Sequence, residues 1–523
     1  MKKLLFLILI CCSYSHILRA QDSLSKYILT PKSGPEPKIN GPKIFGVRPD
    51  HPVLYTIPVT GVRPVKFSGK HLPKGIQINK KTGRISGSIH VPGEYIITLQ
   101  AKNRKGRASR EFKIIVGENI ALTPPMGWNS WNIYATKVTQ KLVLANAKAL
   151  VKSGLANHGW SYMNIDDVWQ GKRGGRFHAI LPDSSTFPDM QALCDEVHDM
   201  GLKIGIYSTP WIESYGHHIG GSAMNPQGIF ERTKVNVARN KKLFPYKIGD
   251  YTFLKKDVSQ WAKWGFDYLK YDWNPIELPE TKAMYDTLRA SGRDIVFSLS
   301  NSTPFGSIAV LSKIANCWRT GGDIRDSWKS LKARLLTQDK WAPYAHPGHW
   351  NDPDMMVIGW VGWGKDEHPT HLTSDEQYSH VSAWCLMSVP LLLGCDLTKL
   401  DDFTLSLLTN DEVISVNQDP LGRQATVVSR QDSSGILAKD LEDGSKAAGM
   451  FNLTDSVTRR MVLRWTDLGI KGRYIVRDLW RQKDLGVFED EFATDVKPHG
   501  VVMINLRKLE KNFFNSQKND EIK

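Results

Sequence analysis

The sequence predicts a (β/α)8 barrel between two smaller all-β units. Three observations predict it. From Leu122 onward, short apolar runs alternate with amphipathic segments of 10–15 residues, the texture of parallel strands joined by helices. Eight such runs can be counted in roughly 280 residues, the size and period of a closed barrel. Nearly every run ends in ionisable or aromatic residues, as expected where barrel strands deliver side chains to a pocket at their C-terminal ends. A flat doubly wound sheet is the alternative architecture.

The elements follow in order. Met1-Lys2-Lys3, the apolar run Leu4–Cys12 and Leu18-Arg19-Ala20-Gln21 read as a signal peptide over 1–20, so the protein is expected to be exported, to the periplasm or the medium. Cys11 raises a lipoprotein reading, but Ile10 stands where such processing prefers a small residue. The run is too short for a membrane span of roughly 20 residues, and no later segment is expected to span. A linker over 21–37 leads to a β unit over 38–117, with alternations such as Tyr95–Leu99 and Phe112–Val116 between turn signals. Its "LPKGIQINKKTGRISGS" resembles the Ig-like modules that precede bacterial secreted enzymes. The resemblance implies a spacer or docking domain without chemistry. The barrel is placed at 121–418, an antiparallel β domain at 420–508 and a polar tail at 509–523.

The barrel strands are read as Met126–Trp131, Met163–Asp167, Ile204–Tyr207, Tyr268–Asp272, Ile295–Ser298, Cys317–Asp323, Trp350–Asp354 and Leu391–Asp396. One helix carries an explicit start: Ser374 with Gln377 three later reads as a capping box, with Tyr378, Val381, Trp384 and Cys385 along one face. Asp326 is read as the cap of the helix beginning near Trp328.

The chain carries a net charge of +16, concentrated locally at Arg232–Lys247 and after Arg507, with no nucleic-acid-binding module beside it. Solvated surface, or attraction to acidic polysaccharide or envelope, accounts for it. Of six cysteines, Cys194, Cys317, Cys385 and Cys395 lie beyond the signal, each in an apolar pattern without CxxC spacing, and are read as buried free thiols. His217-His218 has no partner at metal spacing, so neither metal nor other cofactor is expected. Nothing fixes the oligomeric state.

"LKYDWN" at 269–274 states the chemical question: a core strand runs into Lys270, Asp272 and Asn274. Lys270 and Asp272 share a face because strand side chains alternate. Asp166-Asp167, Arg319 with Asp323, and Asp352 with Asp354 repeat the pattern, accompanied by Trp128, Trp131, Trp169, Tyr207, Trp273 and Trp350. Charged groups that grip hydroxyls and rings that cover an apolar C–H face suit a sugar pocket.

"PPMGWNSWN", "NIDDVW", "DYLKYD", "WRTGGDIRDSW", "GHWNDPDMMVIG" and "VNQDPLGRQ" occur in the order and spacing of the α-galactosidase (melibiase) family, glycoside hydrolase family 27, which this chain resembles from Leu122 into the C-terminal domain. The resemblance implies a retaining exo-α-galactosidase acting on α-linked galactose, with Asp272 as nucleophile and Asp323 as acid/base. Retention requires the two carboxyls about 5–5.5 Å apart. Lys270 and Arg319 are expected to hold Asp272 ionised while Asp323 keeps a proton. By the same match, Asp166 and Asp167 hold O4 and O6, Lys270 O3 or O4, and Arg319 O2, while Trp131, Tyr207, Asp354 and Met355 line the pocket. The partner implied is an α-galactoside glycan.

Three departures bear on substrate. Ser300-Asn301-Ser302 stands where family members often carry Cys-Glu-Trp, which leaves the 2-position open with Asn301 facing it; an α-N-acetylgalactosaminidase is therefore an alternative. Trp273-Asn274 replaces a Cys-containing segment, and the stretch from Ser208 to about Asp250 is long and Gly-rich, as a lid or as surface. Aspartate rather than glutamate at Asp167 leaves room for a hexose. A non-catalytic glycan-binding surface protein is the reading from another class, and it requires loss of Asp272 or Asp323.

Overall fold

The computed structural model describes residues 27–232 and 247–509. The signal peptide, most of the basic run at 232–247 and the tail after Leu509 therefore lie outside the described residues.

Eight parallel strands form the central sheet: β1 (Met126–Asn129), β2 (Tyr162–Asn164), β3 (Lys203–Ser208), β4 (Tyr268–Asp272), β5 (Val296–Ser300), β6 (Cys317–Arg319), β7 (Trp350–Asp352) and β8 (Leu391–Leu393). Neighbours follow chain order from β1 to β7, and β8 pairs back with β1. A parallel bridge between Met356, just past β7, and Leu393 of β8 closes the ring. Each strand is covered on both faces, so β4 is buried along its length apart from the half-buried Lys270.

The helices between strands are α1 (Gln140–Lys152), α2 (Met190–Asp199), α3 (Leu254–Trp264), α4 (Leu278–Arg289), α5 (Ile308–Leu311), α6 (Trp328–Leu335) and α7 (Ser374–Leu386). In α2, Asp189 caps the first turn by accepting from the Ala192 N–H at 2.9 Å. Met190, Leu193, Cys194 and Val197 then recur at helical spacing and bury against the sheet.

Several boundaries differ from those expected. Strands β2, β6, β7 and β8 stop two to four residues early, and the polar residues that follow sit on loops. The capping box begins at Thr373, one residue before Ser374, with Glu376 returning to the Thr373 N–H at 2.8 Å. Both Thr373 and Ser374 have a Glu or Gln three residues on, so spacing alone does not choose between them. The α7 helix has no exposed face, because the C-terminal domain covers the side turned from the barrel: Trp480 Nε1 donates to Ser382 Oγ at 2.9 Å, and Ser379 Oγ to the His499 carbonyl at 2.6 Å. Trp128, Trp169, Trp273 and Trp350 are fully buried core rather than pocket wall. The four cysteines are buried free thiols, as read.

The N-terminal unit packs a four-stranded sheet (Ile44–Val47, Arg107–Val116, Gly93–Lys102, Lys66–Lys70) on a three-stranded one, around Ile85, Ile97, Leu99, Phe112 and Ile114. Its outer face carries Lys66, Lys102 and Arg107 side by side in register. Its edge strands and the residues beside them dock on the N-terminal ends of the barrel strands. Arg48 pairs with Asp294 at 2.6 Å and donates to the carbonyls of Arg289 and Arg293. Thr56 donates to the Gly201 carbonyl at 2.9 Å, and Arg84 to that of His198 at 2.7 Å. The module is thus the floor of the barrel rather than a free spacer. The C-terminal domain is an antiparallel six-stranded sheet facing a two-stranded one, with Met450, Leu463, Trp465, Val476 and Ile504 between them. Among the described residues no helix is long and apolar enough to cross a membrane.

Candidate active site

The predicted residues converge at the C-terminal ends of the strands. Asp272 closes β4 and is buried. Its Oδ1 accepts from Asn301 Nδ2 at 3.1 Å, and Asn301 follows directly on β5. Lys270, two residues earlier on the same strand face, donates to Asp166 Oδ2 at 2.8 Å and lies 5.6 Å from the Tyr207 ring centre. Arg319 ends β6 with its guanidinium buried between two carboxylates. Asp354 Oδ1 is at 2.9 Å and Asp323 Oδ1 at 3.3 Å. The Asp323 side chain is 55% exposed, so it faces the open end of the pocket. Trp131 packs against the hydrophobic cluster that contains Met355.

The loop residues are held by backbone donors. Asp166 Oδ1 accepts from the Asp167 N–H at 2.9 Å, and the Asp166 N–H reaches Ser130 Oγ at 2.9 Å. Asp167 accepts from the Val168 N–H, Gln170 Nε2 and, across the long segment after β3, the Gly216 N–H at 2.7 Å. A Cβ on Gly216 would meet Val168 Cγ1 at 2.5 Å, so only glycine brings that N–H so close. Asp354, at φ +109°, accepts from the N–H groups of Ile324 (2.6 Å) and Met355 (2.8 Å). That strained backbone turns its carboxylate back toward Arg319.

The charges are unequal. Burial pushes the Asp272 carboxyl up to about 7, and Asp166 and Asp323 add to the rise against the opposing pull of Lys270 and Arg319. Partial burial also acts on Asp323, but Arg319 and then Lys270 prevail and hold its carboxyl below the usual carboxylate range. Burial would weaken proton binding by Lys270 and Arg319, but the surrounding aspartates outweigh it and raise both. These directions run against the expected ones: burial favours a proton on Asp272, and Arg319 favours an ionised Asp323. Asp272 is deep and holds one side-chain hydrogen bond, whereas Asp323 lies at the mouth against a guanidinium.

This is an arrangement of paired carboxylates in a cationic cradle with an aromatic wall, and comparison with known proteins places it. The profile described as Alpha galactosidase A (Melibiase_2) matches residues 123–222 and 238–419. The chain belongs to this family, glycoside hydrolase family 27. The profile of its C-terminal β-sandwich domain matches 431–506 and an Ig domain profile matches 37–117. A probable α-galactosidase of Dictyostelium discoideum is 35% identical over 405 residues, covering 74% of this chain and 93% of that protein. A Bacteroides fragilis structure assigned as an α-galactosidase/melibiase superposes with a TM-score of 0.80 at 32% identity, covering 90% of this chain and 98% of the other. α-Galactosidase I of Mortierella vinacea gives 0.62 at 30% identity, covering 74% and 97%.

Within this family 27 barrel the structure gives roles to residues to which the sequence reading assigned none. Asp352, ending β7, fixes Asp354 by accepting its N–H at 2.8 Å, and burial pushes its carboxyl up to about 6. Gln170 and Gly216 hold Asp167. The signal for Asp352 was present in "WNDPD", where the strand period puts one aspartate on the strand and one past it. Asp326 does not cap α6; Ser327 occupies the cap position, and the Asp326 carboxylate turns away to the His371 N–H at 3.0 Å. Asp396, expected at a polar strand end, caps the helical turn Leu397–Lys399.

Proposed function

We propose that this chain is an exported, retaining exo-α-galactosidase that removes terminal α-linked galactose from oligo- or polysaccharides by double displacement. The observation that carries the reading is the pair Asp272 and Asp323, set at different depths and coupled through Lys270 and Arg319. Asp272 attacks the anomeric carbon as its bond to the leaving oxygen breaks, and Asp323 gives that oxygen a proton. Asp323 then takes a proton from water as the water oxygen attacks the same carbon and Asp272 departs. In this reading Asp272 and Asp323 share one proton, and substrate binding favours its residence on Asp323. A sugar 2-hydroxyl that engages Arg319 draws the guanidinium from Asp323, and hydroxyl donors around Asp272 favour its ionised form.

Asp166 and Lys270 form one charge-assisted pair that suits the 3-, 4- and 6-hydroxyls, with Asp167 behind it, and Trp131 flanks the ring, while the fully buried Tyr207 lies 5.6 Å from Lys270. Export through residues 1–20 belongs to the same proposal, and the N-terminus of the protein recovered from the culture tests it.

The chemical test is release of p-nitrophenol from the α-D-galactopyranoside by wild type and Asp272→Ala, with and without azide. Turnover lost in the variant and partly restored as β-galactosyl azide is expected. Hydrolysis unchanged in Asp272→Ala would overturn the reading. A second reading, α-N-acetylgalactosaminidase, is favoured by Asn301, whose amide is small enough to leave space at the 2-position. An α-N-acetylgalactosaminidase of Gallus gallus is 29% identical over 414 residues. Faster release from the N-acetylgalactosaminide than from the galactoside decides for it.

A further inference from the structure

Beyond the sugar pocket, a second group of converging side chains lies where the β6–α6 loop meets the segment before α7. Asp326, His368 and His371 each turn one ligand-type atom inward, and these atoms all lie within 4.8 Å of one another. His371 Nδ1 is 3.0 Å from Asp326 Oδ2, and His368 Nδ1 is 3.8 Å from the same oxygen. Among the described residues this is the one such cluster of three.

We propose that Asp326, His368 and His371 form a binding site for a divalent transition-metal ion of the zinc class. Two imidazoles and one carboxylate are the donor set that such ions take, whereas calcium and magnesium take oxygen alone. Bonds of about 2.0–2.1 Å in tetrahedral geometry set donor atoms about 3.3 Å apart, and the observed separations of 3.0 and 3.8 Å straddle that spacing. The fourth position faces solvent, since the His371 side chain is 68% exposed while that of Asp326 is 9% exposed.

The supporting backbone is already fixed. The Asp326 oxygen accepts from the His371 N–H at 3.0 Å, an outer contact that aims the carboxylate. His368 sits in a two-stranded ribbon opposite Val361. Thr370, between the two histidines, donates its N–H to the Gly359 carbonyl and its hydroxyl to the Val357 carbonyl, both at 2.7 Å. The imidazoles stack at 4.2 Å with an 18° tilt. Binding requires one local change: His368 Nδ1 must give up the Pro369 carbonyl, 2.9 Å away.

The ion would tie the Trp360–Pro369 ribbon to the loop that also carries Asp323, three residues before Asp326. Its role is to brace the pocket rim, separate from the carboxylates that act on sugar. The site stands whether or not galactose is the substrate.

The test is calorimetric titration of tag-free, chelator-treated full-length protein with zinc chloride, beside His368→Ala and His371→Ala. One equivalent with a micromolar Kd is expected, weakened at least tenfold in each variant. The melting temperature should rise with zinc in wild type alone. Absence of binding, or binding of equal strength in the variants, would overturn the proposal. Melting of both variants within a degree of wild type, measured without zinc, would show that their folds are intact.

Discussion

Asn301 donates its side-chain amide to Asp272 Oδ1 across 3.1 Å, so the residue proposed to face the sugar 2-position also touches a buried carboxylate of the site. Under the proposed function, substrate choice and the ionisation of Asp272 are thereby joined in one side chain. Asn301→Ala should lower kcat/KM on the galactoside about tenfold, which corresponds to about 1.4 kcal/mol, near the worth of a hydrogen bond to a charged group. Unchanged kcat/KM would mean that the amide does not support the ionised form.

The carboxylate pair sets the pH response. Asp272 keeps its proton to about 7, while Asp323 loses its proton below the usual carboxylate range, so between the two limits the pair carries one proton. That singly protonated state is the one double displacement uses. Activity measured as kcat/KM should therefore fall as pH rises through about 7, and fall again at acid pH when Asp323 is also protonated. An alkaline limb near pH 9 would assign the proton to another group.

Gly216 tests the support of Asp167. In Gly216→Ala the new methyl has Val168 Cγ1 at 2.5 Å and Asp167 Oδ2 at 3.0 Å, so the loop must retreat and its N–H leaves the carboxylate. KM for the galactoside should rise about tenfold, the effect of one lost hydrogen bond to a charge, with kcat changed less. A fall in kcat at constant KM would contradict a binding role.

Arg173 and Asp257 form an ion pair at 2.6 Å with both side chains 1% exposed, tying the hairpin after β2 to α3. Arg173→Leu strands the carboxylate in the interior, and a loss of about 3–5 kcal/mol is expected from denaturant unfolding. At temperatures where the variant is folded, kcat should stay near wild type. A loss below 1 kcal/mol would show that the carboxylate finds another partner or water.

The barrel was legible because its strands are short apolar runs with charged ends, and β4 is read residue for residue from "YLKYD". The ends of β2 and β6 were not, because a sequence shows the order of polar residues but not the point where the ladder stops. Asn164 and Arg319 still pair, while Asp166 and Asp323 are already on loops. Asp326 illustrates a second limit. Asp-Ser-Trp before a helix satisfies the capping pattern, yet the carboxylate prefers two histidines some 40 residues later, a partnership that only the closed barrel creates. His368 and His371 did leave a trace, a three-residue spacing in "HPTH", which the adjacent pair His217-His218 overshadowed. Helix α7 reads as one-faced because the sequence does not reveal that a second domain lies on its back.

The N-terminal module occupies the end of the barrel opposite the carboxylates at the strand ends. Phe45 lies 5.0 Å from Lys203 Nζ, which also sits 5.1 Å from the Tyr162 ring, at the starts of β3 and β2. A glycan gripped at the mouth therefore meets no part of this module on the same molecule. A surface that engaged the outward row of Lys66, Lys102 and Arg107 would hold the chain through the module at the barrel's floor, leaving the strand ends that carry Asp272 and Asp323 uncovered by that module.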